Sequence, residues 1–289
     1  MDTPGHGWTE IAEGAWRGGD SDAPTLGIVG GVHGDEVVGA RVVKSLSDRA
    51  CPTPCAWQLR LLLGNPRALL AGTRYVDSDL NRAFGPEAVA HGYEASRAAT
   101  LCAALGEPAV CLDVHQTHCD TPPLAVVRDT PAHLALARAL GLRVAVVDAG
   151  RIYGATMLAD WVDARGGLGL TLESGRADSE EAEVAARAVV TRLIERDWDP
   201  GADIRVYAVR AVLRAPWSGF HFQRALGNGS PVRSGEVLAE RSGEVLRAPA
   251  DGVVLLPHAD VDQGAAAAVF AEDRGQVAVD HSTWQARLT

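Results

Sequence analysis

The chain is poor in positive charge and contains no long apolar run. Acidic residues outnumber basic ones among its 289 residues and give a formal net charge of −10, whereas nucleic-acid binding requires basic surface. No apolar run approaches ~20 residues, so we expect no membrane-spanning helix. The N-terminal stretch MDTPGHGWTE has neither a basic region nor an apolar core, so we expect no signal peptide. These features predict a cytoplasmic protein that binds neither nucleic acid nor membranes.

A disulfide framework is also missing. The five cysteines are odd in number and irregularly spaced, which is typical of reduced thiols in a cytoplasmic protein. Cys51 and Cys55 form a close pair in CPTPC, but there is no second pair to complete a four-sulfur zinc site. We therefore do not expect these thiols to hold a structural metal.

Apolar strand-like runs alternate with helical patterns over the first two thirds of the chain. The runs are 25–32, 57–66, 109–115, 124–128, 143–148 and 168–175, and the helical patterns are 36–49, 92–107, 130–142 and 179–198. Thr130 and Ser179 stand where helix caps are expected. This alternation predicts an α/β fold, with a mixed sheet flanked by helices and functional sites where strands end.

The pattern of apolar and turn-forming residues changes after WDPGAD at 198–203. Short β-rich pieces broken by Gly, Pro and Asp follow, and no long helix fits them. A chain of 289 residues accommodates one main domain and a small appendage. We therefore predict a main domain at 1–203 and a smaller all-β domain, of barrel or sandwich type, at 204–289.

His33 and Glu36 follow the first clear strand in GIVGGVHGDEVVGA. On the first turn of a helix, side chains three positions apart lie on one side and can converge on one ion. The glycines before them leave room for an ion and a substrate. An isolated pair of this kind is also compatible with a polar strand-to-helix turn, so a third ligand is required.

His115 ends the apolar run AVCLDV and is a candidate for that third ligand. A histidine in this position could equally be a hydrogen-bonded structural residue. Asp113 faces the same side of the strand and could orient a ligand. His118 and Cys119 lie beyond the predicted strand end and are rival ligands.

Two further segments carry unusual polar residues. Glu173 ends the otherwise apolar strand LTLESG, where an acid is either paired or functional. A carboxylate beside an activated water can take its proton and pass it to a leaving amine.

The segment RYVDSDLNRAF at 74–84 offers Arg74, Asn81 and Arg82 for an anionic substrate, although its own acids could neutralise both arginines.

Taken in order, these pieces resemble the succinylglutamate desuccinylase/aspartoacylase family of zinc carboxypeptidase-like hydrolases. The matching motifs are G-x-H-G-D-E at 31–36, G-N-P-R-A-L at 64–69, R-Y-V-D-S-D-L-N-R-A-F at 74–84, D-V-H at 113–115 and T-L-E-S-G at 171–175. The ordered set is specific, whereas each piece alone is weak. It covers the first two thirds of the chain, and the β-rich tail resembles the family's C-terminal domain more weakly.

The resemblance implies that three residues hold one zinc ion per chain: His33, Glu36 and His115. Glu173 would match the family's general base and acid, and Arg74 the residue that polarises the scissile carbonyl. Asn81 and Arg82 would match the residues that grip the substrate carboxylate. The expected reaction is hydrolysis of an N-acyl amino acid or related N-acyl amine, with zinc lowering the pKa of water.

Two other functions fit the same residues. A zinc carboxypeptidase acting on peptide C-termini would need an open cleft, and a non-catalytic zinc protein would need a site closed by four ligands. A homodimer is the default expectation for such an enzyme. Arg176 directly follows T-L-E-S-G and could add positive charge to the pocket, while His118 and Cys119 match no familiar role. Tyr207 is not assigned the substrate contact made by a tyrosine in some members.

Overall fold

The computed structural model describes residues 7–86, 88–148, 156–177 and 179–286. The strands in these residues are β1 (Thr9–Ala12), β2 (Ala15–Gly19), β3 (Thr25–Gly30), β4 (Gln58–Leu63), β5 (Val110–Thr117), β6 (Leu124–Val127), β7 (Val144–Val147), β8 (Leu168–Arg176), β9 (Asp203–Arg214), β10 (Ser230–Val232), β11 (Val237–Arg241), β12 (Glu244–Arg247), β13 (Gly252–Leu255) and β14 (Ala266–Ala278). The helices are α1 (Val37–Ser47), α2 (Pro66–Ala71), α3 (Gly92–Leu105), α4 (Pro131–Ala139), α5 (Leu158–Asp163), α6 (Glu180–Glu195) and α7 (Ser282–Gln285), with a 3₁₀ turn at Leu80–Arg82.

Twelve strands of the described part form one mixed sheet. Its order is β1-β2-β4-β3-β5-β8-β6-β7-β9-β14-β13-β10. Strands β4, β3, β5 and β8 are mutually parallel, whereas β6 is antiparallel to β8. All eight residues of β5 are buried, as expected for a central strand covered by helices on both faces.

The two faces of the sheet pack against different helices. Leu26 and Ile28 of β3 belong to a core that includes side chains of α1, α4 and α6. Val29, which points the other way, belongs to a core with α3 and α5. The predicted α/β architecture, a mixed sheet flanked by helices, is therefore confirmed.

Local capping explains where two of the helices begin. The hydroxyl of Thr130 accepts the backbone N–H of His133, and the hydroxyl of Ser179 accepts that of Ala182. Each bond satisfies one of the N–H groups that a helix start leaves without an intrahelical partner. Both predicted caps are confirmed.

The C-terminal part continues the same sheet. Residues Val144–Val147 of β7 pair in parallel with Arg205–Ala208 of β9, and β9 then pairs with β14 along most of its length. Strands β11 and β12 form a separate two-stranded sheet. In the described residues after 203, the one helix is the four-residue α7, consistent with the predicted β-rich texture. The boundary at 203/204 stays a prediction, and β9 physically links the two parts.

None of the helices in the described ranges combines the length and apolarity needed to cross a bilayer.

Candidate active site

Three neighbouring strands deliver the candidate residues to one edge of the sheet. Strand β3 lies beside β5, and β5 lies beside β8, all parallel. His115 of β5 is directly opposite Glu173 of β8, and His33 follows the end of β3. Since the carboxyl ends of parallel strands meet at one edge, residues far apart in the chain come together there.

The glycines around His33 allow a close approach of backbones. Gly31 has φ 72°, a left-handed conformation that glycine adopts without steric cost. A Cβ added at Gly34 would lie 2.1 Å from the backbone carbonyl carbon of Ala68, which is far inside van der Waals contact. The glycine frame therefore lets the chain fold tightly against α2.

His33 and Glu36 lie just before α1, rather than on its first turn as the sequence predicts. The backbone N–H of Glu36 donates to the carbonyl of His33 in a turn, at 3.3 Å. Glu36 occupies the cap position without using its carboxylate as a cap. Instead the side-chain oxygen of Gln116 accepts the N–H of Val38 at 3.0 Å, which leaves the Glu36 carboxylate to face the histidines.

The three predicted metal ligands converge. Nδ1 of His33 lies 2.8 Å from Oε1 of Glu36, and Nδ1 of His115 lies 2.9 Å from Oε2. One ligand atom from each of the three residues lies within 4.8 Å of the other two. All three side chains are buried. Two imidazole nitrogens and a carboxylate are a donor set that suits Zn²⁺, so the residues present fit this ion.

Each histidine is held from behind by a second carboxylate. Nε2 of His115 lies 2.8 Å from Oδ2 of Asp113, and Nε2 of His33 lies 3.1 Å from Oδ1 of Asp79. Such carboxylate–histidine pairs fix the ring orientation and the tautomer of a metal ligand. The orienting role considered for Asp113 has a geometric basis. Asp79 and Gln116 are contacts that the sequence reading missed, and the density of acids in VDSDLN was the signal for the first.

Electrostatics within the cluster shift the pKa of each member. Burial alone would raise the pKa of Glu36, but the neighbouring His33 and His115 lower it well below its usual value. Burial alone would lower the pKa of His115, but Asp113 and Glu36 raise it well above its usual value. Glu36 and the two histidines therefore stabilise each other's charges in the metal-free cluster, and a bound cation would replace the histidine protons.

Glu173 differs from the other acids in this region. Its Oε2 is buried and has no hydrogen-bond partner among the described residues. Burial raises the pKa of Glu173 to about 7, and Glu36 adds to this, although His115, His33 and Arg74 act in the opposite direction. A carboxyl group with this pKa exchanges protons readily near neutral pH.

The substrate-binding candidates lie on the segment 74–84. Nη1 of Arg74 donates to Oε1 of Glu36 at 3.1 Å, and its Nη2 lies 3.6 Å from Oδ2 of Asp79. Asn81 is buried, and its side-chain oxygen accepts the N–H of Leu158 at 3.1 Å. Arg82 donates to the carbonyl of Asn81 at 2.6 Å. The segment is thus anchored by its own contacts beside the metal ligands.

All seven predicted site residues line a single cavity of about 420 Å³. They are His33, Glu36, Arg74, Asn81, Arg82, His115 and Glu173. This volume lies within the ~300–1,000 Å³ typical of small-molecule pockets.

His118, Cys119 and Arg176, which match no role in the resemblance, are not among the converging ligands. His118 lines the cavity, but its ring stacks on that of His258 at 3.9 Å between centroids, so it is not one of the converging ligands. Cys119 has no place in the cavity lining. Arg176 pairs with Asp120 at 3.2 Å and does not line this cavity, so its suggested contribution of charge to the pocket is wrong.

Comparison with known proteins places this geometry in a family. The family model for the succinylglutamate desuccinylase/aspartoacylase catalytic domain matches residues 22–195. A probable aspartoacylase of Parasynechococcus marenigrum (strain WH8102) is 35% identical over 162 residues, or 51% of this chain and 52% of that protein. A succinylglutamate desuccinylase of Burkholderia pseudomallei (strain 1710b) is 38% identical over 107 residues, or 34% of this chain and 30% of that protein. The chain thus spans about half the length, or less, of these curated relatives.

Solved structures share the fold over nearly the whole chain. The succinylglutamate desuccinylase of Vibrio cholerae superposes with a TM-score of 0.72 at 17% identity, covering 96% of this chain and 94% of that one. The succinylglutamate desuccinylase/aspartoacylase of Rhodobacter sphaeroides gives a TM-score of 0.70 at 24% identity, covering 94% and 95%. Since the family match covers more than half of the chain and includes His33, Glu36, His115 and Glu173, the chain belongs to the succinylglutamate desuccinylase/aspartoacylase family.

Proposed function

We propose that the protein is a zinc-dependent amidohydrolase that removes the acyl group from an N-acyl amino acid or related N-acyl amine. The observation that carries this proposal is the shared cavity, in which His33, Glu36 and His115 converge. In the same cavity Glu173 presents a buried carboxylate oxygen that has no hydrogen-bond partner in the described part of the chain. Three protein ligands leave a coordination position for water or substrate, as catalytic zinc sites do.

Zinc held by His33, Glu36 and His115 would supply a Lewis acid that acidifies water and polarises the substrate carbonyl. In the proposed reaction Glu173 accepts a proton from the attacking water, whose oxygen bonds to the carbonyl carbon. Glu173 then returns that proton to the nitrogen as the carbon–nitrogen bond breaks, which gives a carboxylate and a free amine. Its pKa of about 7 suits both transfers.

Arg74 is proposed to stabilise the negative charge that develops on the carbonyl oxygen. Its guanidinium is held beside Glu36 and Asp79, and its pKa is raised: burial acts against this, but the charge of Glu36 and then that of Asp79 outweigh it. A cation fixed in advance stabilises such charge without reorganisation during the reaction. Asn81 and Arg82 are proposed to bind the substrate carboxylate.

Two observations weigh against the alternative functions. The described residues offer a group of three ligands rather than the four of a structural zinc site. Residues after 204, including Val209, Leu255 and His258, form part of the cavity lining, whereas a carboxypeptidase would need a cleft open to a peptide chain. A location in the cytoplasm and a homodimer remain predictions.

The test is metal analysis of the purified protein, followed by a panel of N-acylated amino acids, N-acylated diamines and blocked dipeptides, read by amine release. We expect about one zinc per chain and turnover of N-acyl amino acids or amines. Turnover of blocked dipeptides alone would favour the carboxypeptidase, and bound zinc with no turnover of any compound would favour the non-catalytic protein.

A further inference from the structure

Two histidines line the cavity outside the metal group, and we call them the histidine pair: His118 and His258. Their rings are stacked, with centroids 3.9 Å apart and planes inclined by 2°. His118 directly follows β5, which carries the candidate metal ligand His115, whereas His258 lies between β13 and β14. The stack therefore connects the strand of a candidate metal ligand to the C-terminal part of the chain.

The backbone next to each ring is held by hydrogen bonds. The N–H of His258 donates to the carbonyl of Ala267 in β14 at 2.7 Å, and the hydroxyl of Thr117 donates to the carbonyl of Cys119 at 2.7 Å. His118 is exposed and His258 is half-buried, so the stack lies where the cavity opens to solvent. Both rings are thus fixed at the cavity opening by contacts within the chain.

The ring nitrogens of the histidine pair differ from those of the metal group. Both ring nitrogens of His33, and both of His115, contact carboxylate oxygens within 3.1 Å. In the described part of the chain, no residue forms a hydrogen bond to a ring nitrogen of His118 or His258. The two rings cannot satisfy each other, because imidazole hydrogen bonds lie in the ring plane and the two planes are parallel. These nitrogens are therefore available to a ligand in the cavity.

His258 is the one polar side chain among the described lining residues that follow position 203. The others are aliphatic: Val209, Leu255, Leu256, Ala266 and Val269. A side-chain hydrogen bond from these C-terminal lining residues to a ligand would therefore be made by His258.

The surroundings of His258 favour an oxygen ligand. Burial lowers the pKa of His258, and His118 and Arg74 lower it further, while Asp260 acts in the opposite direction. The ring is therefore neutral near pH 7, with one N–H donor and one acceptor nitrogen. The positive charge that disfavours a protonated ring also favours an oxygen that carries negative charge.

From this geometry we infer that His258 is a specificity-determining residue that donates a hydrogen bond to an oxygen of the substrate, on the end that extends from the scissile amide towards the cavity opening. His118 is its positioning residue and fixes the ring by stacking. The inference rests on the proposed deacylase function and deepens it by naming the recognised group, a carboxylate or carboxamide oxygen. That oxygen can belong to the acyl group or to the amino acid side chain, and the experiment distinguishes the two.

The experiment uses two sets of compounds of nearly equal shape. On the amine side, N-acetyl-aspartate and N-acetyl-asparagine are compared with N-acetyl-leucine. On the acyl side, N-succinyl-glycine and N-succinamoyl-glycine are compared with N-(4-methylpentanoyl)-glycine. Amine release is measured with the zinc-loaded protein. Binding is measured by calorimetry in a zinc-loaded Glu173→Gln background, so that affinity is read without hydrolysis.

His258→Phe is the main variant, because it keeps a planar ring in the stack and removes both nitrogens. In one of the two sets we expect it to weaken binding of the carboxylate about tenfold or more, and of the carboxamide about threefold, relative to the aliphatic compound. A loss in the amine set places the oxygen on the amino acid side chain, and a loss in the acyl set places it on the acyl group. His258→Leu is the second variant should the first fold poorly.

His221→Phe is the matched control, since it makes the same change at an exposed histidine outside the lining and should alter no ratio. His118→Phe keeps the stacked ring and should retain most of the preference, whereas His118→Ala removes the ring and should reduce the preference at least about threefold. An unchanged preference in His118→Ala, or equal losses in His118→Phe and His258→Phe, would overturn the positioning role of His118.

The outcomes separate this inference from the proposed function. A relative loss of binding in His258→Phe, without amine release from any compound by the parent protein, would reject the hydrolase and retain the role of His258. Amine release with unchanged relative affinities in both sets would retain the hydrolase and overturn the role of His258. An equal loss for all six compounds would overturn it too, since that marks a structural role, and so would failure of the parent protein to bind any of them.

Discussion

The metal side of the cavity and its aliphatic lining are built in opposite ways. We call this lining the aliphatic wall, and its residues are Val126, Val146, Val209, Leu255 and Val269. On the metal side, buried polar groups are packed so that nearly every charge has a partner within about 3 Å. The imidazole of His115, for example, contacts Asp113 through one ring nitrogen and Glu36 through the other. On the aliphatic wall, ordinary side chains of β-strands pack together in one apolar cluster. The first side is organised for chemistry at one point, and the second offers a surface that any neutral group of suitable size can occupy.

This contrast separates catalysis from selectivity. Changes on the metal side should alter turnover or metal content for every substrate alike, because each substrate presents the same amide there. Changes in the wall should alter the ratio between substrates and leave the metal in place. The four predictions below test the metal side of this contrast, in order of expected effect.

The largest effect is expected for Glu173→Ala. In the proposed reaction Glu173 is the group that accepts the proton of water, so turnover should fall by roughly 10²–10⁴-fold for all substrates. Zinc content should stay at the wild-type level, since Glu173 is not one of the three converging ligands. Activity close to wild type would show that the proton is carried by another group.

His115→Ala should abolish stoichiometric zinc binding. It removes one of three ligands and leaves Glu36 with a single histidine partner. His118→Ala is the matched control, since His118 lies three residues further on and stacks on His258 instead. Metal analysis after dialysis distinguishes the two, and zinc loss in the control with retention in His115→Ala would reverse the ligand assignment.

Asp113→Asn should weaken zinc binding by about 10–100-fold without abolishing it. The side chain keeps its shape but no longer presents a carboxylate to Nε2 of His115, 2.8 Å away in the wild type. Competition with a chelator gives the affinity. An unchanged affinity would mean that packing around β5 alone orients the ring.

The smallest effect concerns the pH dependence of folding in the metal-free protein. Burial raises the pKa of Glu173 from 4.5 to about 7, so the folded state holds this proton after the unfolded chain has lost it. Stability contributed by the site therefore falls as pH rises from about 4.5 to 7. Glu173→Gln should remove this loss, so its stability relative to wild type should increase from pH 5 to pH 8 by on the order of 2 kcal/mol.

Urea unfolding of both metal-free proteins at the two pH values measures the difference. A stability difference that is the same at pH 5 and pH 8 would contradict the raised pKa.

Much of the fold was accessible from local patterns. Buried parallel strands such as β3 and β5 read as continuous apolar runs, and the caps Thr130 and Ser179 mark helix starts by a local hydrogen bond. The way in which the C-terminal part joins the main sheet was harder to predict from the sequence. Strand β9 pairs with β7 through one stretch and with β14 along most of its length, and a strand's choice of neighbour leaves no trace in its own sequence.

The candidate site likewise contains residues that the sequence pointed to and residues that it did not. His33, Glu36, His115 and Glu173 could be singled out because a polar group at the end of an apolar strand is unusual and needs a reason. Gln116 was missed, although its side chain caps α1 and its backbone N–H donates to Glu36 at 3.0 Å. Its role depends on how β5 lies against α1, which sequence spacing does not specify.

By itself, the sequence determined the alternating elements, the family motifs and the residue types that meet at the strand ends. These features follow from short-range patterns: the periodicity of apolar residues, the residues that cap helices, and polar residues that interrupt apolar strands. Tertiary structure alone decided that four valines and Leu255, from five strands and spread from Val126 to Val269, line one cavity with the metal group. The reason is physical: a valine in a strand is ordinary in every local respect, and only the pairing of distant strands turns such residues into one wall of a cavity.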